Sequence, residues 1–433
     1  MRMEKPILQL ALDFVDLHRA MKVAEEALRG GVDWLEAGTP LIKSEGLNCV
    51  RALKRSFPGV TLVADMKTMD TGSVEVEAAA KAGADVVIVM GLADDSTIRE
   101  AVEAARRVGS KIMVDLMNVD DMPSRAVDLE RLGVDYVCVH VGIDQQMRGM
   151  KPLEVLKQVV EVVNIPVAVA GGINSETAAQ AVEAGASIVI VGGAITKAEN
   201  AEEAARVIKE AMLTRKPITT KLFKKFTEEE IVEAFKKVST PNIADAMHKK
   251  GAMKGIKPIT PGVKMVGRAV TVRTYPGDWS KAVQAIDVAE PGSVIVIDAC
   301  GAEEAVWGEL ASWSCVVKGI AGVVIDGAIR DVDVIRELRF PAYARHINPR
   351  AGEPKGLGEI NVEITCGGVK VEPGDWVIGD DNGVVVVPKD LAVEIANRAI
   401  DVMEKENRIR EEIRRGSTLS RVLELKKWDK VVG

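Results

Sequence analysis

The sequence is poor in aromatic residues, 3% of 433, and has no excess of positive charge, its formal net charge being -7. A protein that grips nucleic acid directly relies on a basic surface, on stacking rings or on both, so direct nucleic-acid binding is disfavoured. Cysteine is also scarce. Cys49, Cys138, Cys300, Cys315 and Cys366 are odd in number and widely spaced, giving neither a CxxC metal pair nor a disulfide framework. That usage fits a reducing, cytoplasmic setting. No run approaches the ~18 apolar residues of a membrane helix, and Met1 leads straight into an alternating strand, so neither membrane insertion nor export is expected. What is present is an ordinary globular balance, 47% hydrophobic and 28% charged. The length favours two domains of roughly 200 residues each.

A short phrase recurs through the first half: Gly31-Val32-Asp33, Gly83-Ala84-Asp85, Gly133-Val134-Asp135 and Gly185-Ala186-Ser187, at steps of 52, 50 and 52 residues. Each closes a helical pattern and opens an apolar strand. A period near fifty suits two β-α units, so four recurrences predict eight strands alternating with helices, the makings of a (β/α)8 TIM barrel. The expected strands are Ile7 to Asp13, Trp34 to Ala37, Thr61 to Asp65, Val86 to Met90, Ile112 to Leu116, Tyr136 to His140, Pro166 to Ala170 and Ile188 to Val191. They are short and apolar on both faces, as parallel strands covered by helices are. Asp16 is the expected N-cap of the first helix and Gly30 its end.

The barrel is expected to end near Leu213. Residues 214–226, with Arg215, Lys216, Lys221, Lys224 and Lys225 and no recurrent apolar face, read as a solvated linker. A second domain, 227–433, then opens with a capping box, Thr227 with Glu230, and a second helix start at Thr240-Pro241. Strand-like runs follow at Ala269 to Thr274, Ser293 to Asp298, Gly322 to Asp326, Val362 to Thr365 and Val384 to Val387, before a charged helix from about Leu391 to Arg415. This half is α/β or α+β without the fifty-residue repeat.

Polar residues stand where the apolar strands of the first half end: Asp13, Glu36, Asp65 with Lys67, Asp115, His140, Gly171-Gly172 and Gly192-Gly193. In a barrel these positions converge on one mouth. One carboxylate after a strand is ordinarily a helix cap, but a cap needs no lysine or histidine, so six ionisable groups at successive strand ends point to chemistry. Glu36 and Asp65 are hard oxygen ligands of the kind that hold Mg2+ (or Mn2+) while leaving positions for water and substrate. Lys67, between Asp65 and Asp70, stays charged beside a developing oxyanion. His140 can carry a proton near neutral pH, and the glycine pairs let backbone N–H groups approach a phosphate.

Asp65-x-Lys67-x-x-Asp70 after the third strand resembles the signature of the orotidine-monophosphate decarboxylase superfamily, and the first 213 residues look most like its 3-hexulose-6-phosphate synthases. Supporting segments are Leu8 to Asp13, Glu36 to Pro40, Asp65 to Gly72, His140 to Asp144 and Gly171 to Asn174. The resemblance implies reversible condensation of ribulose 5-phosphate with formaldehyde through a Mg2+-stabilised enediolate. Lys67 would face the anion, His140 would carry the proton, and Asp70 would be donated across a homodimer. A third reading is a keto-gulonate-phosphate decarboxylase, but those relatives usually carry a glutamate near strand five and an arginine in the last phosphate loop. Here those places are Asp115 and Gly193.

In the second half, Arg330-Asp331 after a Val-Val-Ile strand offers a fork for a carboxylate with a metal ligand beside it. With Trp307-Gly308-Glu309-Leu310 and Thr240 to Ala246, it resembles the regulators of ribonuclease activity A, a family that includes class II pyruvate aldolases. The resemblance implies an α/β domain of the swivelling type and a trimeric habit. It also implies Arg330 on a 2-oxo acid, backbone N–H groups of Gly308 to Leu310 on its carboxylate, and Asp331 on the metal. Glu309 stands where the family pattern has aspartate. Two functions stay open for this half: a metal-dependent 2-oxo-acid aldolase or decarboxylase, making the chain a bifunctional homo-oligomer, or a non-catalytic module that binds a ribonuclease.

Overall fold

The computed structural model describes residues 5–147, 152–219 and 223–425. The chain divides into two compact units, one running to Lys225 and taking in the chain from Glu404 onward, the other Phe226–Met403.

The first unit is built on eight parallel strands closed into a barrel: β1 (Ile7–Leu12), β2 (Trp34–Ala37), β3 (Thr61–Thr68), β4 (Val86–Met90), β5 (Lys111–Asp115), β6 (Tyr136–His140), β7 (Val167–Ala170) and β8 (Ile188–Val191). Closure comes from β1 pairing with β8, Ile7 to Leu10 against Ile188 to Val191. Side chains alternate along each strand. Ile7, Ala11, Val63, Ile88, Met113 and Ile188 fill the interior, while Leu8, Leu10, Leu12, Val87 and Val89 pack under the helices.

The recurrent Gly-x-Asp phrase has a physical cause. Gly31, Gly83, Gly133 and Gly185 all take positive φ, the left-handed turn that converts a helix end into a strand start. The aspartates then pin the neighbouring strand: Asp33 accepts from Leu8 N–H at 2.7 Å, Asp85 from Leu62 N–H at 2.7 Å and Asp135 from Ile112 N–H at 2.8 Å. The repeat is therefore the seam of the barrel's floor, opposite the mouth. The first helix, Leu17–Arg29, is capped by Asp16 accepting from Arg19 N–H at 2.7 Å and closes at Gly30.

Phe226–Met403 forms a mixed sheet of nine strands. Its order is Gly383–Val387, Trp376–Asp380, Met265–Arg273, Val294–Asp298, Gly322–Ile329, Ala342–Ile347 and Lys257–Pro258, with Ala305–Trp307 and Glu359–Ile360 paired off this path. Strands Trp376–Asp380 and Ala342–Ile347 were not anticipated, and the expected run Val362 to Thr365 is only the short strand Ile364–Cys366. The capping box at Thr227 opens a single 3-10 turn, Glu228–Glu230, before the helix Ile231–Lys237.

Two expectations change. The segment read as a solvated tether buries Phe223 and Phe226; its residues 220–222, Lys221 among them, lie outside the described residues. The long helix Ala392–Arg414 forms as expected, but from Glu404 the chain groups with the barrel unit. The reason is Arg408, whose guanidinium is 2% exposed and meets Glu26 of the first barrel helix at 3.3 Å. No helix among the described residues is long and apolar enough to cross a membrane.

Candidate active site

At the barrel mouth, β3 runs three residues further than expected, to Thr68, with a break in its register against β4 between Ala64 and Thr68. Lys67 sits in that irregular stretch at a φ of 46°, a conformation a lysine adopts only where its surroundings impose it. The result aims its ammonium inward. Nζ lies 3.1 Å from Asp65 Oδ2 and 3.1 Å from Asp115 Oδ2, and Asp115 Oδ2 also meets His140 Nδ1 at 2.8 Å. The other oxygen of Asp115 accepts from Met117 N–H at 2.9 Å. Four ionisable groups from three strands thus form one chain, Asp65, Lys67, Asp115, His140.

Electrostatics set the charge of Asp115 and Lys67. Burial alone would raise the Asp115 carboxyl, but His140, Lys67 and the Met117 N–H outweigh it and hold it down to about 2. Burial likewise opposes the Lys67 ammonium, yet Asp65 and Asp115 raise its pKa and keep it protonated. Next to this chain lies a corner of opposite character. Burial pushes the Glu36 carboxyl well up, and Asp65 and Asp13 push it further. Asp13 is exposed at the mouth, and partial loss of hydration together with Asp65 raises its carboxyl too.

The neighbours explain how this corner is held. Gln9, fully buried inside the barrel, donates Nε2–H to Glu36 at 2.5 Å. Thr39 donates its hydroxyl to Asp65 Oδ2 at 2.7 Å. Gly38 leaves room for this corner, since a Cβ there would meet the Leu12 carbonyl oxygen at 2.9 Å and crowd Asp13 Oδ1. Gln9 and Thr39 were not singled out from sequence. Gln9 carried a signal, being the one amide in the inward alternation Ile7, Gln9, Ala11, Asp13.

The geometry allows Mg2+ (or Mn2+) in this corner. Glu36 and Asp65 supply two hard oxygens, the raised Glu36 carboxyl marks negative charge in need of a cation, and Gln9 Oε1 is buried with no partner. Among the described residues no three His, Cys, Asp or Glu side chains converge as a complete cage. Such an incomplete donor set suits an ion that keeps waters and takes substrate oxygens.

The glycine pairs line the same end. A Cβ on Gly192 would lie 3.5 Å from Asp13 Oδ2, and Gly193 opens a one-turn helix, Gly193–Thr196. Gly171, at a φ of 108°, passes Val141 O so closely that a Cβ would overlap it, and Gly172 borders Gln146. Asp70 is not brought into the cluster. It is exposed, and its carboxylate accepts from the adjacent Thr71 N–H at 2.7 Å.

In the second unit, the strand Gly322–Ile329 ends at Arg330-Asp331, where Asp331 takes a φ of 55°. Its Oδ2 lies 3.4 Å from Arg330 Nε and accepts from Glu309 N–H at 3.3 Å. Gly308 packs against both, a Cβ there coming 2.6 Å from Asp331 Oδ2. Gly308, Glu309, Arg330 and Asp331 therefore meet, with the Glu309 N–H, expected to face a substrate carboxylate, directed at Asp331 instead, and Leu310 stands 75% exposed beside them.

Comparison with known proteins adds to this geometry. A family model described as orotidine 5'-phosphate decarboxylase / HUMPS family matches residues 6–208, and one described as Aldolase/RraA matches residues 240–386. A 3-hexulose-6-phosphate synthase of Bacillus subtilis is 42% identical over 207 residues, 48% of this chain and 98% of its own. An uncharacterized protein of Methanocaldococcus jannaschii is 47% identical over 194 residues, 44% of this chain and 92% of its own. Among solved structures, a 3-hexulose-6-phosphate synthase from Salmonella typhimurium is 39% identical, covers 50% of this chain and 100% of its own, and gives a TM-score of 0.47.

Proposed function

Since the chain belongs, through residues 6–208, to the orotidine 5'-phosphate decarboxylase / HUMPS family and carries an RraA-like domain at residues 240–386, we propose that its barrel is a 3-hexulose-6-phosphate synthase, an aldehyde-lyase joining ribulose 5-phosphate to formaldehyde. The observation that carries this reading is Lys67 held at 3.1 Å from both Asp65 and Asp115 at the barrel mouth.

The reaction removes a proton from C-1 of the ketose, giving an enediolate. C-1 then bonds to the formaldehyde carbon, whose oxygen takes up a proton to become a hydroxyl. Glu36 and Asp65 would hold Mg2+ (or Mn2+), which when bound would supply Lewis-acid polarisation of the ketose oxygens. Lys67 places a fixed positive charge where the enediolate oxygen develops, held there by two buried carboxylates. His140 moves the proton: Asp115 is a carboxylate and accepts Nδ1–H, which leaves Nε2 as the exchanging nitrogen. Gly171-Gly172 and Gly192-Gly193 receive the phosphate, and Asp70 completes the site of a partner copy in a dimer.

For the RraA-like domain, the pairing of Arg330 with Asp331 and the approach of Gly308 favour 2-oxo-acid chemistry. Arg330 would fork onto the substrate carboxylate and carbonyl, and Asp331 would hold the metal. A module that only binds a ribonuclease has no use for that pair. The test is one preparation of the full chain assayed twice, with ribulose 5-phosphate plus formaldehyde and with oxaloacetate, each with and without Mg2+. Metal-dependent hexulose phosphate formation supports the barrel reading, and turnover in excess chelator contradicts it. Oxaloacetate decarboxylation that Asp331→Asn removes supports the second reading; its absence, with a ribonuclease retained instead, gives the domain to regulation.

A further inference from the structure

The barrel matched by its family model stops at residue 208, yet Phe223 and Arg408 beyond it grip the loops assigned to phosphate, and Glu404 holds Phe223. Phe223 holds a φ of 59°, unusual for a bulky side chain and sustained only by specific partners. Its N–H donates to Glu404 Oε1 at 2.6 Å, and its carbonyl accepts from Asn174 Nδ2 at 3.3 Å. Asn174 caps the helix that follows Gly171-Gly172. The Phe223 ring meanwhile lies against the other loop, since a Cβ on Gly193 would stand 3.5 Å from its Cε1. One aromatic residue thus touches both glycine loops.

Arg408 grips the far end of the same turn. The one-turn helix Gly193–Thr196 runs out into Ala198 and Glu199, whose carbonyls accept from Arg408 Nη1 at 3.1 and 3.2 Å. The guanidinium also meets Glu26 Oε2 at 3.3 Å and Glu412 Oε1 at 3.0 Å. Arg415 reinforces it, donating to Glu199 O at 3.0 Å. A buried charge costs desolvation unless its partners satisfy it, and such networks are best justified by the geometry they specify. Here the geometry specified is that of the segment between Gly192 and Glu199.

We propose that Phe223, Glu404 and Arg408 are positioning residues for the phosphate of the sugar substrate, so that the barrel of this chain is completed by segments outside its family's span. This rests on the reading that Gly171-Gly172 and Gly192-Gly193 bind phosphate. None of the three touches the reacting carbon, so they set how well the phosphate is held rather than the speed of the bound reaction. Loss of binding that is equal in ground and transition states raises KM and leaves kcat alone.

The experiment uses the full chain and compares Phe223→Ala, Arg408→Lys and Gly193→Asp. KM for ribulose 5-phosphate and competitive inhibition by inorganic phosphate are measured well below each variant's melting temperature. Lysine keeps the charge of Arg408 but cannot span two carbonyls and two carboxylates, so Arg408→Lys is the milder probe should truncation unfold the chain. Expected for Phe223→Ala and Arg408→Lys is a KM and a phosphate inhibition constant raised roughly tenfold at near-constant kcat, short of the ~10²-fold cost of misplacing a reacting group. Gly193→Asp, which puts an anion in the loop, should abolish phosphate inhibition. If Gly193→Asp does so while folded Phe223→Ala and Arg408→Lys keep their KM and inhibition constants, the positioning role is overturned and the phosphate site stands. If Gly193→Asp changes nothing, the phosphate assignment falls and the positioning role with it.

Discussion

The barrel mouth and the Arg330–Asp331 corner each set a cation beside a carboxylate, but under opposite conditions. At the mouth, Lys67 is 25% exposed and is held between Asp65 and Asp115, which are 6% and 3% exposed. In the corner, Arg330 and Asp331 are 44% and 36% exposed and meet at 3.4 Å. Charges that have left water are strongly coupled, and their orientation is fixed before substrate arrives. Charges still in water are screened and free to turn, so a site made of them is completed by whatever binds. The mouth is preorganised; the corner is not.

That contrast is broken most sharply at Lys67. Lys67→Ala should lower hexulose phosphate formation by about 10²-fold or more, since it removes a preorganised partner of the oxyanion, while far-ultraviolet circular dichroism stays native. Near-normal turnover in that variant would mean the mouth works without its lysine. The next largest effect is expected at Gln9, which orients Glu36 from inside the barrel. Gln9→Leu should weaken Mn2+ binding roughly 10- to 100-fold, the usual cost of losing a residue that holds a metal ligand. Electron paramagnetic resonance of free Mn2+ reads this without any turnover, and an unchanged affinity would remove Gln9 from the metal corner.

In the looser corner the effect should be smaller and of another kind. Arg330→Lys should raise KM for oxaloacetate several-fold with little change in kcat, because an ammonium cannot make the planar two-pronged contact. Sugar condensation should be untouched by it. The smallest effect concerns stability. Asp115 is held at about 2 against an ordinary 3.8, so its stabilisation is fully present above 3.8 and is lost as pH falls through about 2. Urea unfolding of the native chain and Asp115→Asn should therefore show a gap that closes as pH falls from about 4.5 to about 2. A gap that stays constant to about pH 2.5 would show that Asp115 is not the low carboxylate.

How much of this was legible in the sequence follows from the same physics. All eight barrel strands were readable because strands buried on both faces are apolar throughout and the Gly-x-Asp seam marks where each pair begins. Asp65, Lys67, Asp115 and His140 were readable because ionisable residues at the ends of such strands have no structural excuse. Strands Ala342–Ile347 and Trp376–Asp380 were missed because the second unit has no repeat to frame them, and Arg345 and His346 break the apolar run of the first. Phe223 and Arg408 left no local trace at all. Their partners lie 181 residues away, Phe223 to Glu404, and 382 residues away, Arg408 to Glu26, and only the folded chain brings them to the glycine loops.

On the proposed reading, the chain Asp65, Lys67, Asp115, His140 makes and holds an enediolate. The most direct measurement omits formaldehyde: ribulose 5-phosphate is incubated with the full chain and Mg2+ in deuterated water, and loss of the C-1 proton is followed by nuclear magnetic resonance. Stereospecific exchange of one C-1 proton is expected, slowed by about 10²-fold or more in Lys67→Ala and lost in His140→Ala. A chain that forms hexulose phosphate yet shows no C-1 exchange, or exchanges as fast without Lys67, would contradict the account.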